Sequence, residues 1–387
     1  MKTVIHYLRG PYLETTENWI FNQIKNLSRY KPVVYCHGIK NLDIFPIQNI
    51  ISLDLAKSFF NPVIFFNKLC SDIFHFYPSF ALFLAKDKPV IIHAHFGPAG
   101  YWFLPLKKLF KLPLVTTFYG YDLSKLPKKH TRWQKRYKKL FRYGEIFLVE
   151  GSHMKKCLME LGCPETKIIV HHLGVDLNNI KFMPRKISAD GEIKILVCGR
   201  FKPKKGIPDA VEAFGIVKNK IPNLKLKLTI IGNSCGSQLE ELEKTKILNK
   251  IKKYKIENSI DLLGYKPYSF FLKEIYRNHI FLSPSITPSD GETEGGVPVS
   301  IIEASASGMP VVSTTHCDIP EVILDGHNGY LVPEQDVESL AEKLKFLVLN
   351  PDSWYQLGLK GREHIEKNYD IIKQTYHLEK IYDNLTH

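Results

Sequence analysis

No stretch of this 387-residue sequence is apolar for long enough to cross a membrane, which takes about 18 residues. The nearest, 73–85, carries His75 and stops at Lys86 and Asp87. The opening MKTVIHYLRG meets Arg9 too soon for a signal-peptide core and reads as a first strand. No Cys-x-x-Cys pair occurs. The seven cysteines are scattered and odd in number, which fits a reducing cytosol and argues against zinc. Neither half opens with Gly-x-Gly-x-x-Gly, which disfavours a dinucleotide-dependent oxidoreductase. Acids are also short, 39 against 53 Lys and Arg, for a net charge of +14.

Much of that charge is local. Residues 125–142, KLPKKHTRWQKRYKKLFR, hold nine Lys and Arg with Trp133, Tyr137 and Phe141 between them. Residues 105–113, PLKKLFKLP, add three more. Such a segment is either a solvated helix face or a surface for an anionic partner, a membrane above all. No nucleic-acid-binding motif accompanies it, so nucleic acid is not expected as a partner. The 44% hydrophobic and 24% charged composition is that of a soluble globular chain, long enough for two domains.

Short Val/Ile/Leu-rich runs alternate with helical patterns, which predicts parallel sheets covered on both faces. Strands are predicted at 3–8, 32–38, 89–96, 114–120, 145–151 and 167–174. A polar stretch, 178–193, reads as a linker. Strands then resume at 193–199, 226–232, 260–264, 280–285 and 310–315, with helices over 206–219 and 238–254. The expected fold is α/β, with two doubly wound Rossmann-like domains, 1–185 and 186–370, facing across a cleft. A final helical segment, 371–387, repeats Ile372, Tyr376, Leu378, Ile381 and Leu385 and is expected to pack back on the first domain. Residues 40–85 read as irregular.

In GRFKPKKG, 199–206, Gly199 permits a tight exit from a strand, and Arg200 and Lys205 stand beside a helix start that favours anions. A solvated Arg and Lys would be the bland reading. In GETEGGVPVSIIEASASGMPVVSTT, 291–315, Pro298 suits the first helical position. Glu303 then lies one turn in, where its carboxylate can accept hydrogen bonds from a vicinal diol such as ribose. Simple stabilisation of the helix dipole is the alternative. His93 and His95 alternate along their strand and are expected on opposite faces, with His95 the one near a site. Adjacent His171 and His172 cannot chelate together, and Met154 and Met309 read as core.

The ordered set HAHFG (93–97), TTFYGYDLS (116–124), GVD (174–176), GRFKPKKG, EGGVPVSIIEASASGMPVVST (294–314), IPEVI (319–323) and NGYLVPEQD (328–336) resembles retaining glycosyltransferases of the family-4 type with the GT-B fold. The likeness is greatest to the branch that builds bacterial surface polysaccharides. It implies a metal-independent, hexosyltransferase-type enzyme with no cofactor, whose co-substrate is a nucleotide diphosphate sugar (UDP- or GDP-sugar). The acceptor would be a glycan or a lipid-linked sugar. The resemblance assigns Arg200 and Lys205 to the diphosphate and Glu303 to the ribose. Glu294 and the N–H groups of Gly295, Gly296 and Val297, with Pro298, fall near the donor sugar. Gly10, Gly97 and Asp122 fall on the acceptor side, and Tyr119 and His95 near the reacting centre. It implies a cytoplasmic protein, peripheral at the inner face of the membrane, with acceptor choice in segments between 40 and 85. Two departures stand out. Eight residues separate Glu294 from Glu303, one more than is usual in the family, and Tyr119 replaces a frequent histidine. These two features are what favour the alternative, a non-catalytic nucleotide-sugar-binding scaffold. An epimerase fits the motif order less well.

Overall fold

The computed structural model describes residues 1–53, 62–74, 76–187 and 189–386. The chain divides into two compact units, 1–175 with 371–387, and 176–370.

The first unit runs β1 (Lys2–Leu8), α1 (Asn18–Lys25), β2 (Tyr30–Cys36), β3 (Ile50–Ser52), α2 (Pro62–Phe74), α3 (Pro78–Asp87), β4 (Ile91–His95), α4 (Gly97–Phe110), β5 (Leu114–Thr117), α5 (Lys125–Lys129), α6 (Arg132–Tyr143), β6 (Ile146–Val149), α7 (Ser152–Glu160) and β7 (Ile168–Val170). The strands form one parallel sheet in the order β3-β2-β1-β4-β5-β6-β7. Residues 40–85 are less irregular than the sequence suggests. They contain β3, α2 and α3, although 54–61 and 75 lie outside the described residues.

The second unit runs β8 (Ile193–Cys198), α8 (Ile207–Lys220), β9 (Leu226–Ile231), α9 (Gln238–Tyr254), β10 (Ile260–Gly264), α10 (Tyr268–Arg277), β11 (Ile280–Ser283), α11 (Val299–Ala306), β12 (Val311–Thr314), α12 (Ile319–Val322), β13 (Gly329–Val332), α13 (Val337–Leu349) and α14 (Ser353–Asn368). Its parallel sheet has the order β10-β9-β8-β11-β12-β13. Chain order reverses between β1 and β4 in one sheet and between β8 and β11 in the other. Beyond the carboxyl ends of such strand pairs lies a crevice for ligands.

Three local expectations need correction. The segment 178–193 is not a free linker. Ile180 is buried, and the buried Arg185 donates to the carbonyls of Ile275, Asn278 and Ser307. Those carbonyls cap helix ends and turns of the second unit, which is why residues 176–185 divide with it rather than with the first. His93 and His95 lie on the same face of β4, their rings stacked with centroids 4.5 Å apart. Residues two apart on a strand must share a face. The third concerns α15 (Ile371–Leu385), which belongs to the first unit. Ile372 and Tyr376 are exposed, and the buried stripe is Gln374, Thr375, Leu378, Glu379 and Tyr382.

Leu378 and Tyr382 pack with Val4, Leu27, Tyr30, Ile91, Val115 and Leu148. Glu379 makes polar burial tolerable. Its carboxylate accepts the N–H groups of Ser28 and Arg29 (both 2.6 Å) and the Arg29 Nε–H (3.0 Å). Burial alone would raise its pKa, but those bonds hold it below the usual range. We expect Glu379→Ala to lower unfolding free energy by about 1.5–3 kcal/mol, as for hydrogen bonds to a charged group. Arg29→Ala, which removes a largely exposed partner, should cost no more than about 1 kcal/mol. Urea denaturation of the two variants checks the difference.

Candidate functional site

In the second unit two loops meet. One follows β8, from Gly199 through a short 3-10 turn, Pro203–Lys205, to Gly206. The other follows β11 to the start of α11. Gly206 has φ 59°, and a Cβ there would lie 1.8 Å from the carbonyl oxygen of Pro284. Only glycine allows the loops to close so far. The closure sets Lys205 against Glu294, Nζ to Oε1 2.9 Å. Lys204 Nζ reaches the Thr293 carbonyl (3.1 Å) and stands 3.6 Å from Glu294. Lys202 pairs with Glu292 at 2.7 Å. Ser285 Oγ donates to Glu294 Oε1 (3.2 Å), and the Glu294 N–H donates to His316 Nε2 (3.1 Å). His316 is fixed in turn by Glu334, which contacts Nδ1 at 2.7 Å and accepts the Thr287 N–H.

Arg200 takes a different acid. Its Nη2 is 2.7 Å from Glu240 Oε1 in the first turn of α9, while its buried Nε–H has no partner among the described residues. A cavity of about 310 Å³ lies between the ends of β9 and β10 and α9, bordered by Phe201, Gly232, Asn233, Ile247, Leu262 and Gly264, and Arg200 does not line it.

The loop Gly295–Pro298 is buried and leads into α11. Pro298 is the cap residue rather than the first helical one. Its extended ψ of 123° leaves its carbonyl to accept the Ile301 N–H, and Val299 opens the helix. Glu303 is buried in the second turn, and Tyr268 at the start of α10 donates to its Oε1 (2.6 Å).

The two glutamates are opposites electrostatically. Burial pushes Glu294 up, but Lys205 and Lys204 outweigh it and hold the carboxyl at about 2. Burial pushes Glu303 up to about 7, and the Tyr268 hydroxyl offsets only part of that. Glu294 is therefore a fixed carboxylate, and Glu303 has no ion pair among the described residues.

In the first unit the sequence candidates gather beyond β1, β4 and β5. Asp122 is fully buried, with both oxygens taken by backbone N–H groups, Gly97 (2.7 Å) and Tyr119 (3.0 Å). It thus holds the start of α4 to the loop after β5, and burial raises it to about 6 despite those bonds. Gly97 is required by packing, since a Cβ there would lie 2.3 Å from Phe118 Cε1. Gly10 has open space around it and its carbonyl accepts the His37 N–H. Tyr119 and His95 are joined directly, hydroxyl to Nδ1 at 2.7 Å, and His95 Nε2 meets His6 Nδ1 at 3.0 Å.

Burial depresses both imidazoles and keeps them neutral. One proton must therefore occupy each gap of this chain, and the chain can run either way. If Tyr119 donates inward, the orphan at the far end is a buried His6 Nε2–H. If His6 donates from Nδ1, the orphan is only a lone pair, the cheaper outcome. In the second polarity the Tyr119 oxygen accepts from His95, and the Thr117 hydroxyl stands beside it. The nitrogens of His6, His93 and His95 lie within 4.8 Å of one another. However, the His93 and His95 rings are nearly parallel, and both His93 nitrogens are held, by Tyr382 and Thr117. Their lone pairs do not converge on one point.

Sequence reasoning missed Tyr268, Glu240, Lys204, Ser285, His316 and Glu334. His316 had a usable signal, being two residues past the carboxyl end of β12. Glu240 and Tyr268 had none, because their role depends on where α9 and α10 begin.

Glu303 yields a pH prediction. Its folded pKa lies above the model-peptide value of 4.5, so its contribution to stability is lost as pH rises from 4.5 through about 7. Above pH 7 the cost approaches about 3 kcal/mol. Glu303→Gln should raise the melting temperature at pH 8 and change it little at pH 4.5, by scanning calorimetry at both values.

Comparison with known families agrees with this fold. Residues 21–179 match the model described as Glycosyltransferase Family 4, and residues 179–368 the one described as Glycosyl transferases group 1. The putative colanic acid biosynthesis glycosyltransferase WcaL of Escherichia coli (strain K12) is 33% identical over 281 residues, 72% of this chain and 66% of that protein. The amylovoran biosynthesis glycosyltransferase AmsK of Erwinia amylovora is 33% identical over 297 residues, 75% and 70% respectively. The chain thus spans about two thirds of the length of these relatives. Among solved structures, sucrose-phosphate synthase of Thermosynechococcus elongatus superposes with TM-score 0.77 at 16% identity, covering 100% of this chain and 99% of that one. Anabaena HepE, solved with UDP and glucose, gives 0.76 at 14% identity and 100% of both. The chain belongs to the glycosyltransferases that join a Glycosyltransferase Family 4 domain to a group 1 domain, and its fold is GT-B.

Proposed function

We propose that this glycosyltransferase moves a hexose, with retention, from a UDP- or GDP-sugar to a glycan or lipid-linked acceptor in the synthesis of a bacterial surface polysaccharide. The observation that supports this best is the array beyond β8 and β11, where Lys205, Arg200, Glu294 and Glu303 are held at a topological switch point. Lys205 and Arg200 receive the diphosphate, so that no metal is needed as it departs. Glu303 receives the ribose hydroxyls. Its lack of a cation leaves the carboxylate short of partners, which two hydroxyl donors relieve. Glu294 keeps Lys205 in place until the donor arrives and then faces its sugar.

Burial raises the Tyr119 phenol well above its ordinary range, so it serves as a donor and not a base. A front-face path, in which a donor phosphate oxygen takes the acceptor proton, fits a site of this kind. Relatives named for colanic acid and amylovoran biosynthesis support the pathway assignment. The exposed cations of α6 support a cytoplasmic enzyme resting on an anionic membrane surface.

Besides Tyr119 and the lengthened Glu294–Glu303 spacing, the scaffold reading has in its favour the engagement of Lys205 and Arg200 by acids of this chain. Donor hydrolysis separates the two. Incubation with UDP- and GDP-sugars should release nucleotide diphosphate, unaffected by EDTA, and a scaffold would release none. Arg200→Ala and Lys205→Ala should each weaken nucleotide diphosphate binding by about 1.5–3 kcal/mol in calorimetry. Glu294→Gln frees Lys205. It should therefore keep or strengthen that binding while lowering turnover. Equal loss of binding in Glu294→Gln and Glu303→Gln would put both acids in the nucleotide pocket and refute the division of roles.

A further inference from the structure

Helix α2 in the first unit exposes a row of apolar side chains. Its buried side chains include Asn67, Cys70 and Ser71, while Val63, Phe65, Phe66, Leu69 and Ile73 are exposed by 44–60%. The Asn67 amide fixes this orientation. It donates to the Val63 carbonyl (2.8 Å) and to Ser79 Oγ (2.7 Å), and its oxygen accepts the Ser79 N–H (3.0 Å). Those bonds fasten α2 to the start of α3 with its apolar side outward. Single exposed hydrophobics are ordinary, but a row of them on one helix marks a surface for a partner.

The partner is indicated by the neighbouring helices. α3, α4 and α6 pack on the same sheet face through one core that includes Phe80, Phe103, Trp133 and Tyr137. Of these, α3 is the one that α2 touches. Leu82 on α3 and Leu109 on α4 are exposed by 74% and 67%. Lys108 and Lys111 flank Leu109, and α6 exposes Arg132, Lys135, Lys138, Lys139 and Arg142. Neither α4 nor α6 contains an acid. The aromatics of α6 that looked in sequence like part of a docking face, Trp133, Tyr137 and Phe141, are core instead, so its outer side is cationic apart from Gln134.

We infer that α2 inserts Phe65, Phe66 and Leu69 into the headgroup–acyl boundary of an anionic bilayer, with the cations of α4 and α6 on the headgroups beside it. A second copy of the chain fits worse, because a symmetric contact across this layer would oppose two cationic rows that hold no acid. Apolar depth next to a basic row is the composition of an interfacial helix. The inference extends the membrane contact proposed above from adsorption by charge to insertion.

Flotation with phosphatidylethanolamine/phosphatidylglycerol vesicles at 0.05 and 1 M salt tests it. The whole chain should bind at low salt and keep a salt-resistant fraction at high salt. Phe65→Ser/Phe66→Ser/Leu69→Ser should lose the resistant fraction, with partitioning at least roughly tenfold weaker. Its donor hydrolysis and melting temperature should not change. Lys135→Glu/Lys138→Glu/Lys139→Glu should lose the salt-sensitive part alone. Wild-type partitioning by the α2 variant would overturn the insertion while leaving adsorption by α6 intact. Absence of vesicle binding by the wild type, with a dimer that the α2 variant abolishes, would assign the face to a second copy and overturn both.

Discussion

A carbonyl oxygen sits where any side chain on residue 206 would have to be. That contact between Gly206 and Pro284 is the constraint on which the geometry of the candidate site in the second unit depends. It couples the loop after β8 to the loop after β11, and these strands are neighbours only because chain order reverses between them. A similar approach, Gly232 against the Gly199 carbonyl, closes the β9 loop from the other side. Lys205 and Glu294, 89 positions apart, meet because the backbone leaves them no other place. The cationic loop is therefore preorganised, and little side-chain entropy remains to be lost when an anion binds.

Preorganisation by acids raises an apparent conflict, since carboxylates next to a diphosphate would repel it. The balance of charges resolves it. Lys202, Lys204, Lys205 and Arg200 face Glu292, Glu294 and Glu240, so one positive charge is left over before Glu303 is counted. Glu303 stands apart on α11, with a phenol instead of a cation as its neighbour, and its ionisation is poised near neutrality. Burial alone treats the two glutamates alike. The lysines make one a permanent anion, and their distance makes the other responsive to what hydrogen-bonds it.

This division explains what could be read in the sequence. The parallel two-sheet architecture was legible because strands buried on both faces are unbroken apolar runs. Arg200, Lys205, Glu294 and Glu303 were legible because they cluster at strand exits and a helix start. Predicted strands such as 114–120 and 167–174 ran past their true ends, Thr117 and Val170, since hydrophobic pattern does not mark where the backbone leaves the sheet. β3 and β13, three and four residues long, carry too little pattern to stand out. The polar face of α15 was misread for a different reason. Hydrophobic periodicity cannot anticipate a buried Glu379 whose partners, Ser28 and Arg29, lie some 350 positions away.

Tyr119 shows how such networks bear on chemistry. In isolation a tyrosine in place of histidine looks like a loss of function, since a phenol titrates far above neutrality. Set in its chain, it is the outer end of a buried three-member relay whose inner members, His95 and His6, are neutral. The polarity that spares His6 an orphaned N–H has His95 donate to the phenol and leaves the phenol its own proton. A histidine there would have one N–H to give and one lone pair to fill, and joining the relay would occupy one of them. The tyrosine oxygen accepts from the relay and still carries its own proton. The substitution thus keeps a hydroxyl donor at the loop after β5 while giving up a base there, since burial holds the phenol well above its ordinary range.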